Sequence, residues 1–251
     1  MAALSTEFNK YYKQQLKSYG FIKLKGLPYF GKIINNEIFQ FITFHNMNSL
    51  IKGKKAFTID VGILTIYSNS LDRHSLAIWV NPLMDFRNID ESLNERFNEI
   101  YAFYYDDQSI SDTLAKTFEE TKNIAFPYME KILSLEDYIW YCKYMHIALL
   151  RNADQFYQDS LLLVKTNNHD DFLDVFEKQS SIMLKRFGNN PNDKDYLKIR
   201  EEYYKSIVEE IAQARDRIYD NPELYAKAME ELERRKQVNI ETLKSYGISF
   251  S

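Results

Sequence analysis

His45, Asp60 and Arg96 are the residues whose types could do chemistry together. A histidine titrates near neutrality, a carboxylate beside it fixes its ring, and an arginine holds an anion. Thr43 and Thr58 lie two residues from His45 and Asp60, so each pair shares a face if its segment is a strand. Five residues therefore form the candidate ligand-binding set: Thr43, His45, Thr58, Asp60 and Arg96. The set supports two readings, a site for a small anion or acid–base work, and the ordinary polar side of a half-solvated sheet.

Other chemistry-bearing residues point elsewhere. His169-Asp170-Asp171 with Asp174 offers one imidazole among carboxylates, and Asn168 before them makes a normal helix start, so no metal site is expected. Cys142 falls among Tyr141, Met145 and Leu149 as a small buried hydrophobe, and His146 next to Met145 reads as a core or boundary residue. No glycine-rich phosphate loop, nucleophile elbow or His-Glu-x-x-His occurs, so a nucleotide-dependent or common hydrolase mechanism is not supported and no cofactor is expected; whether the chain is an enzyme stays open, with the balance toward none.

The elements that must position the candidate set start with a helix capped at Ser5 or Thr6. It carries Phe8, Tyr11/Tyr12, Leu16 and Tyr19 on one side and ends at Gly20. Short strands follow over Phe21–Lys25, Tyr29–Ile34, Glu37–His45 and Ala56–Ile63, with Asn35-Asn36 as the tight turn of a hairpin. In the last of these, Phe57, Ile59, Val61 and Ile63 should face the core, and Ala56, Thr58, Asp60 and Gly62 the open side. Leu76–Val80 reads as a strand or buried loop and Glu99–Tyr105 as a further strand. Helices are expected from Ser109 or Ser111 to about Lys122 and from a capping box at Ser134-Leu135-Glu136-Asp137 to about Leu150. Two more are expected over Gln155–Lys165 and Asp170–Arg186. Gly188-Asn189-Asn190-Pro191-Asn192 marks a boundary, and two long helices over 193–219 and 222–246 should form a hairpin. The pentapeptide Leu16-Lys17-Ser18-Tyr19-Gly20 recurs as Leu243-Lys244-Ser245-Tyr246-Gly247; both copies read as the same glycine cap followed by an apolar residue.

The expected fold is thus α+β: an antiparallel meander sheet of four or five strands packed by helices, with an all-helical C-terminal extension. The domains are 1–187 and the helical hairpin 193–251. Residues 1–60 hold nine lysines against Glu7, Glu37 and Asp60, a balance of +6, and the rest of the chain carries −10. The aromatics and lysines of the first helix could bind nucleic acid, but packing explains the aromatics better and a pI near 5.7 argues against it. No apolar run is long enough to span a bilayer, no signal peptide is visible, and one cysteine suits a reducing compartment; a cytoplasmic location without membrane is expected.

The helix followed by Gly20-Phe21, the strand ending in Ile42-Thr43-Phe44-His45 and the stretch Phe57-Thr58-Ile59-Asp60-Val61-Gly62 resemble the bacterial domain of unknown function 4304 family. Leu93–Phe97 and Pro127–Asp137 resemble its later landmarks. The resemblance covers roughly residues 5–150, or to 185. It implies a curved antiparallel sheet with helices packed against it and no established activity. His45 and Asp60 stand where the family pattern has Gln and Asn, and paired Trp residues are missing near Tyr104-Tyr105. Together these features lead to an expected role as a protein-binding module, in one version immunity-like, with an acidic surface meeting a basic toxin. The alternatives are a small-molecule-binding protein or enzyme using the His/Asp/Arg set, and self-association through the C-terminal hairpin.

Overall fold

The Asn35-Asn36 turn sets the register of the sheet. Both residues are left-handed, with φ 49° and 57°, and the Glu37 N–H closes the turn on the Ile34 carbonyl at 2.9 Å. Two consecutive positive φ values give the hairpin turn whose twist matches its strands. A computed structural model describes residues 4–78, 81–83, 102–139, 141, 162, 165–166, 202, 209, 213, 218 and 220–250. The chain divides into two compact units. The first is Met1–Ile66, Ser70–Tyr138 and Val238–Ser251; the second is Tyr67–Asn69 and Ile139–Gln237.

The first unit is α+β, built on an antiparallel sheet. Its strands are β1 (Ile22–Lys23), β2 (Phe30–Ile34), β3 (Ile38–Met47), β4 (Lys55–Thr65), β5 (Asn81–Pro82) and β6 (Phe103–Tyr105). The order is β1-β2-β3-β4-β5, and β6 also pairs with β4. Because β5 lies opposite Asp60 and Val61 while β6 lies opposite Lys55–Phe57, the two short strands share one edge of β4. The sheet is therefore five strands across, as expected. Leu76 belongs not to a strand but to the short helix Arg73–Ile78, which Asp72 caps by accepting the Ser75 N–H at 2.8 Å. Of the Glu99–Tyr105 strand, the described part is Phe103–Tyr105.

One face of the sheet carries Ile38, Ile42 and Phe44 of β3 and Phe57, Ile59, Val61 and Ile63 of β4. The first helix, Leu4–Leu16, packs here through Leu4, Phe8, Tyr12 and Leu16. Phe8 stacks on Tyr12 at 4.1 Å and meets Phe44 at 4.5 Å and Phe30 at 6.1 Å. Tyr12 stands edge-on to Phe118 of the helix Ile110–Ile124 and donates its hydroxyl to Thr117 at 3.0 Å. Lys10, Lys13 and Lys17 point to solvent, so the lysines and the buried Phe8 and Tyr12 occupy opposite sides of the helix. Gln40 and Thr65 are the buried polar residues of this sheet face. The Gln40 amide donates to the Met129 carbonyl at 2.6 Å and tethers the short helix Phe126–Met129. Asp137 completes the capping box: its carboxylate accepts the Ser134 N–H, and the Ser134 hydroxyl accepts the Asp137 N–H.

The other face was expected to be open, and it is buried. Every residue of β4 from Ala56 to Thr65 is buried. The end of the C-terminal helix, Pro222–Ser245, and the chain after it return to this side. The Lys25 N–H donates to the Tyr246 carbonyl at 3.0 Å, and Gly247 sits beside Ile22. Asn239 takes the Leu71 N–H on its side-chain oxygen and gives its amide to the Ile66 carbonyl, both at 2.9 Å. The repeated pentapeptide forms the same cap twice. Phe21 N–H reaches Leu16 and Ile248 N–H reaches Leu243, with Gly20 and Gly247 at φ 79° and 96°.

The boundary between the units falls inside the C-terminal helix, at Gln237–Val238, so its last turns fold with the sheet. In the second unit that helix starts from Asn221, whose side-chain oxygen accepts the Glu223 and Leu224 N–H groups. Arg234 and Arg235 both pair with Glu231, which holds the Glu231 carboxyl down at about 2. Lys165 and Lys236 stand over the Tyr67 ring at 5.3 and 5.8 Å. The partner helix expected over 193–219, the boundary at Gly188–Asn192 and the helices over Gln155–Lys165 and Asp170–Arg186 lie largely outside the described residues.

Candidate functional site

The candidate set is assembled by the register of β3 on β4. Thr43 pairs with Asp60 and His45 with Thr58, so all four share the face that also carries Phe39, Phe41, Gly62 and Leu64. The rings of Phe39 and Phe41 stack at 5.4 Å. Gly62 makes room for one of them, since a Cβ there would lie 2.1 Å from the Phe41 ring. Apolar packing fills this face toward the Asn35-Asn36 turn, and the polar residues gather toward its other end.

His45 and Asp60 form an ion pair between Nδ1 and Oδ2. They are diagonal neighbours on adjacent strands, a spacing that long side chains bridge. The pair spans the protein boundary: the Asp60 side chain is 2% exposed and that of His45 is 55% exposed. A carboxylate so placed directs Nδ1–H toward itself and leaves Nε2 as the nitrogen turned to solvent. The hydrogen bond to Asp60 raises the His45 pKa above its ordinary value, against a smaller opposing effect of burial. The second oxygen of Asp60, Oδ1, is buried with no hydrogen-bond partner among the described residues.

Both threonines bond within the protein. Thr43 is buried and donates its hydroxyl to the Pro28 carbonyl at 3.1 Å, and Thr58 is buried and turns its hydroxyl to the Ile59 carbonyl at 3.3 Å. Their expected outward aim is corrected by the covering segments described above. Arg96 lies outside the described residues, as do Cys142, His146 and His169 with Asp170, Asp171 and Asp174.

The structure brings in three residues that the sequence did not flag. Tyr29 is buried beside Thr43's anchor at Pro28, and burial raises its pKa. The charges of Arg73 and Asp60 both act on its hydroxyl, as does Tyr246. Tyr246 in turn accepts a hydrogen bond from the Arg73 backbone and feels the charges of Asp72 and Arg73. Arg73 is exposed and opens its helix, and its charge is felt at Tyr29 and Tyr246. Parity alone places Tyr29 on this face once the hairpin register is known. Arg73 and Tyr246 reach it through long-range folding and leave no local signal.

Among the described residues no group of three or more His, Cys, Asp or Glu side chains could hold a metal ion, and no helix is long and apolar enough to cross a membrane. What the arrangement offers is one half-exposed imidazole, oriented by a buried carboxylate. No family model matches the chain, and neither does any curated protein or solved structure with which it was compared.

Proposed function

We propose that this chain is a non-enzymatic binding module and that His45 is its contact for an anionic group, a carboxylate or phosphate, on a partner. The observation that carries this reading is the His45–Asp60 ion pair at the protein surface. Asp60 keeps the ring protonated to higher pH and fixes its direction, which lowers the ordering cost of binding. A cationic contact of this kind favours an acidic group on the partner over the basic toxin of the immunity-like version. The resemblance to the domain of unknown function 4304 adds a fold to this reading and no chemistry.

The test is an NMR titration of the full chain with inorganic phosphate and with acetate, following the histidine side-chain resonances. A saturable shift at His45 that weakens as pH rises, and that His45→Gln abolishes, is the expected result. Shifts that are unsaturable, or equal at His45 and the exposed His74, would end the proposal.

A further inference from the structure

We infer that His45 is a nucleophilic histidine whose Nε2 accepts a phosphoryl group to give a phosphohistidine. This rests on the reading above in taking His45 as the point where an anionic ligand meets the protein. It goes further by assigning that point a covalent chemistry.

The geometry supplies what such a nucleophile needs. The Asp60 carboxylate, all but sealed from solvent, engages Nδ1, so the neutral ring keeps its hydrogen there and its lone pair on Nε2. The His45 side chain is 55% exposed, and Nε2 lies on the far side of the ring from the nitrogen that Asp60 engages. When it attacks phosphorus, the ring becomes cationic, and the charge forms next to a carboxylate already in place. Asp60 Oδ1 has no competing donor among the described residues, so the negative charge of the buried carboxylate is left to the imidazole. His74 is an internal contrast: it is exposed, and among the described residues it has no carboxylate partner.

The step balances with a phosphoryl donor of the acyl phosphate or phosphoramidate class. The Nε2–P bond forms as the donor's P–O or P–N bond breaks. The leaving group departs as a carboxylate, or as ammonia after taking a proton from water. Nδ1–H stays paired with Asp60, and the phosphoryl group stays on Nε2. No electron is gained or lost by either partner.

The experiment treats the full chain with potassium phosphoramidate at a pH above the His45 titration midpoint, where the ring is neutral, with peptide mass spectrometry for the rate at each histidine and phosphorus NMR for the isomer. His45 should be modified at least about tenfold faster than His74, the scale on which a partner behind a histidine matters, and at Nε2. Asp60→Asn should bring His45 to the His74 rate. Equal rates at the two histidines, or the Nδ1 isomer at His45, would overturn the inference. So would an unchanged rate in a folded Asp60→Asn chain. If that variant does not fold, the rate ratio and the isomer in the unaltered chain decide. A phosphate-induced shift at His45 without phosphorylation removes this inference and leaves the binding module standing. Phosphorylation without reversible phosphate binding removes the binding module instead.

Discussion

The two faces of the sheet are made by alternate residues of the same strands and behave differently. On the side of the first helix, Phe44, Phe57, Ile59, Val61 and Ile63 meet a tight group of aromatic rings, with Gln40 and Thr65 as buried uncharged polar residues. On the opposite side, Phe39, Phe41 and Leu64 give way along the strands to Thr43, Thr58, Asp60 and His45. Both faces are covered, yet only the second grades from apolar to charged. The difference teaches where a buried sheet can carry chemistry: at the end of a face, where a charge sealed below can pair with a ring that still reaches water.

Breaking the aromatic face should cost most. Phe8→Ala removes a fully buried ring in contact with Tyr12, Phe30 and Phe44, and urea unfolding should show a loss of about 3–5 kcal/mol. A loss as small as that of an exposed site would show that the first helix does not anchor this face. On the other face the sensitive point is a glycine. Gly62→Ala drives a methyl group into the buried Phe41 ring and should cost about 1–3 kcal/mol through overpacking. Phe41→Leu in the same chain should recover part of that loss, and strict additivity of the two changes would contradict the contact.

The twin caps sharpen the comparison, because each ends a helix lying on one side of the sheet. Gly20→Ala and Gly247→Ala force an L-residue into positive φ and should each cost about 1–2 kcal/mol. If the two faces fold as one cooperative unit, both changes shift a single transition. Two transitions, each sensitive to one cap, would separate them.

The smallest effect is electrostatic and confined to the polar end. Folding raises the His45 pKa above its ordinary value of 6.5, so the folded state binds the proton more tightly than the unfolded state. The resulting stabilisation is fully present below pH 6.5 and fades as pH rises through the folded pKa. Denaturant midpoints measured across that window should fall with pH in the native sequence, and Asp60→Asn should flatten the slope. An identical slope in both chains would show that the pair is not coupled to folding.

Much of this contrast was legible in the sequence. The alternation Phe57, Ile59, Val61, Ile63 named the aromatic face, Asn35-Asn36 named the hairpin turn, and the two Leu-Lys-Ser-Tyr-Gly segments named two identical caps. Those features are local, since a strand's parity and a glycine's φ depend on a few neighbours. His45 and Asp60 were also placed together by parity, and the register joins them. What the sequence withheld was the cover. Nothing near Thr58 announces that Tyr246 and Asn239, nearly two hundred residues away, fold back to this side, so a face read as open is buried along β4 while His45 stays exposed. Arg73 escaped notice for the same reason, because its neighbours are set by tertiary folding and not by spacing.

The central claim is that a buried carboxylate holds a surface histidine by Nδ1 and leaves Nε2 to solvent. Nitrogen-15 NMR of the His45 side chain through a pH titration tests it most directly. The account predicts a midpoint above 6.5 and, in the neutral ring, a proton on Nδ1, both lost in Asp60→Asn. A midpoint at 6.5 or below, or a neutral ring protonated at Nε2, would contradict it.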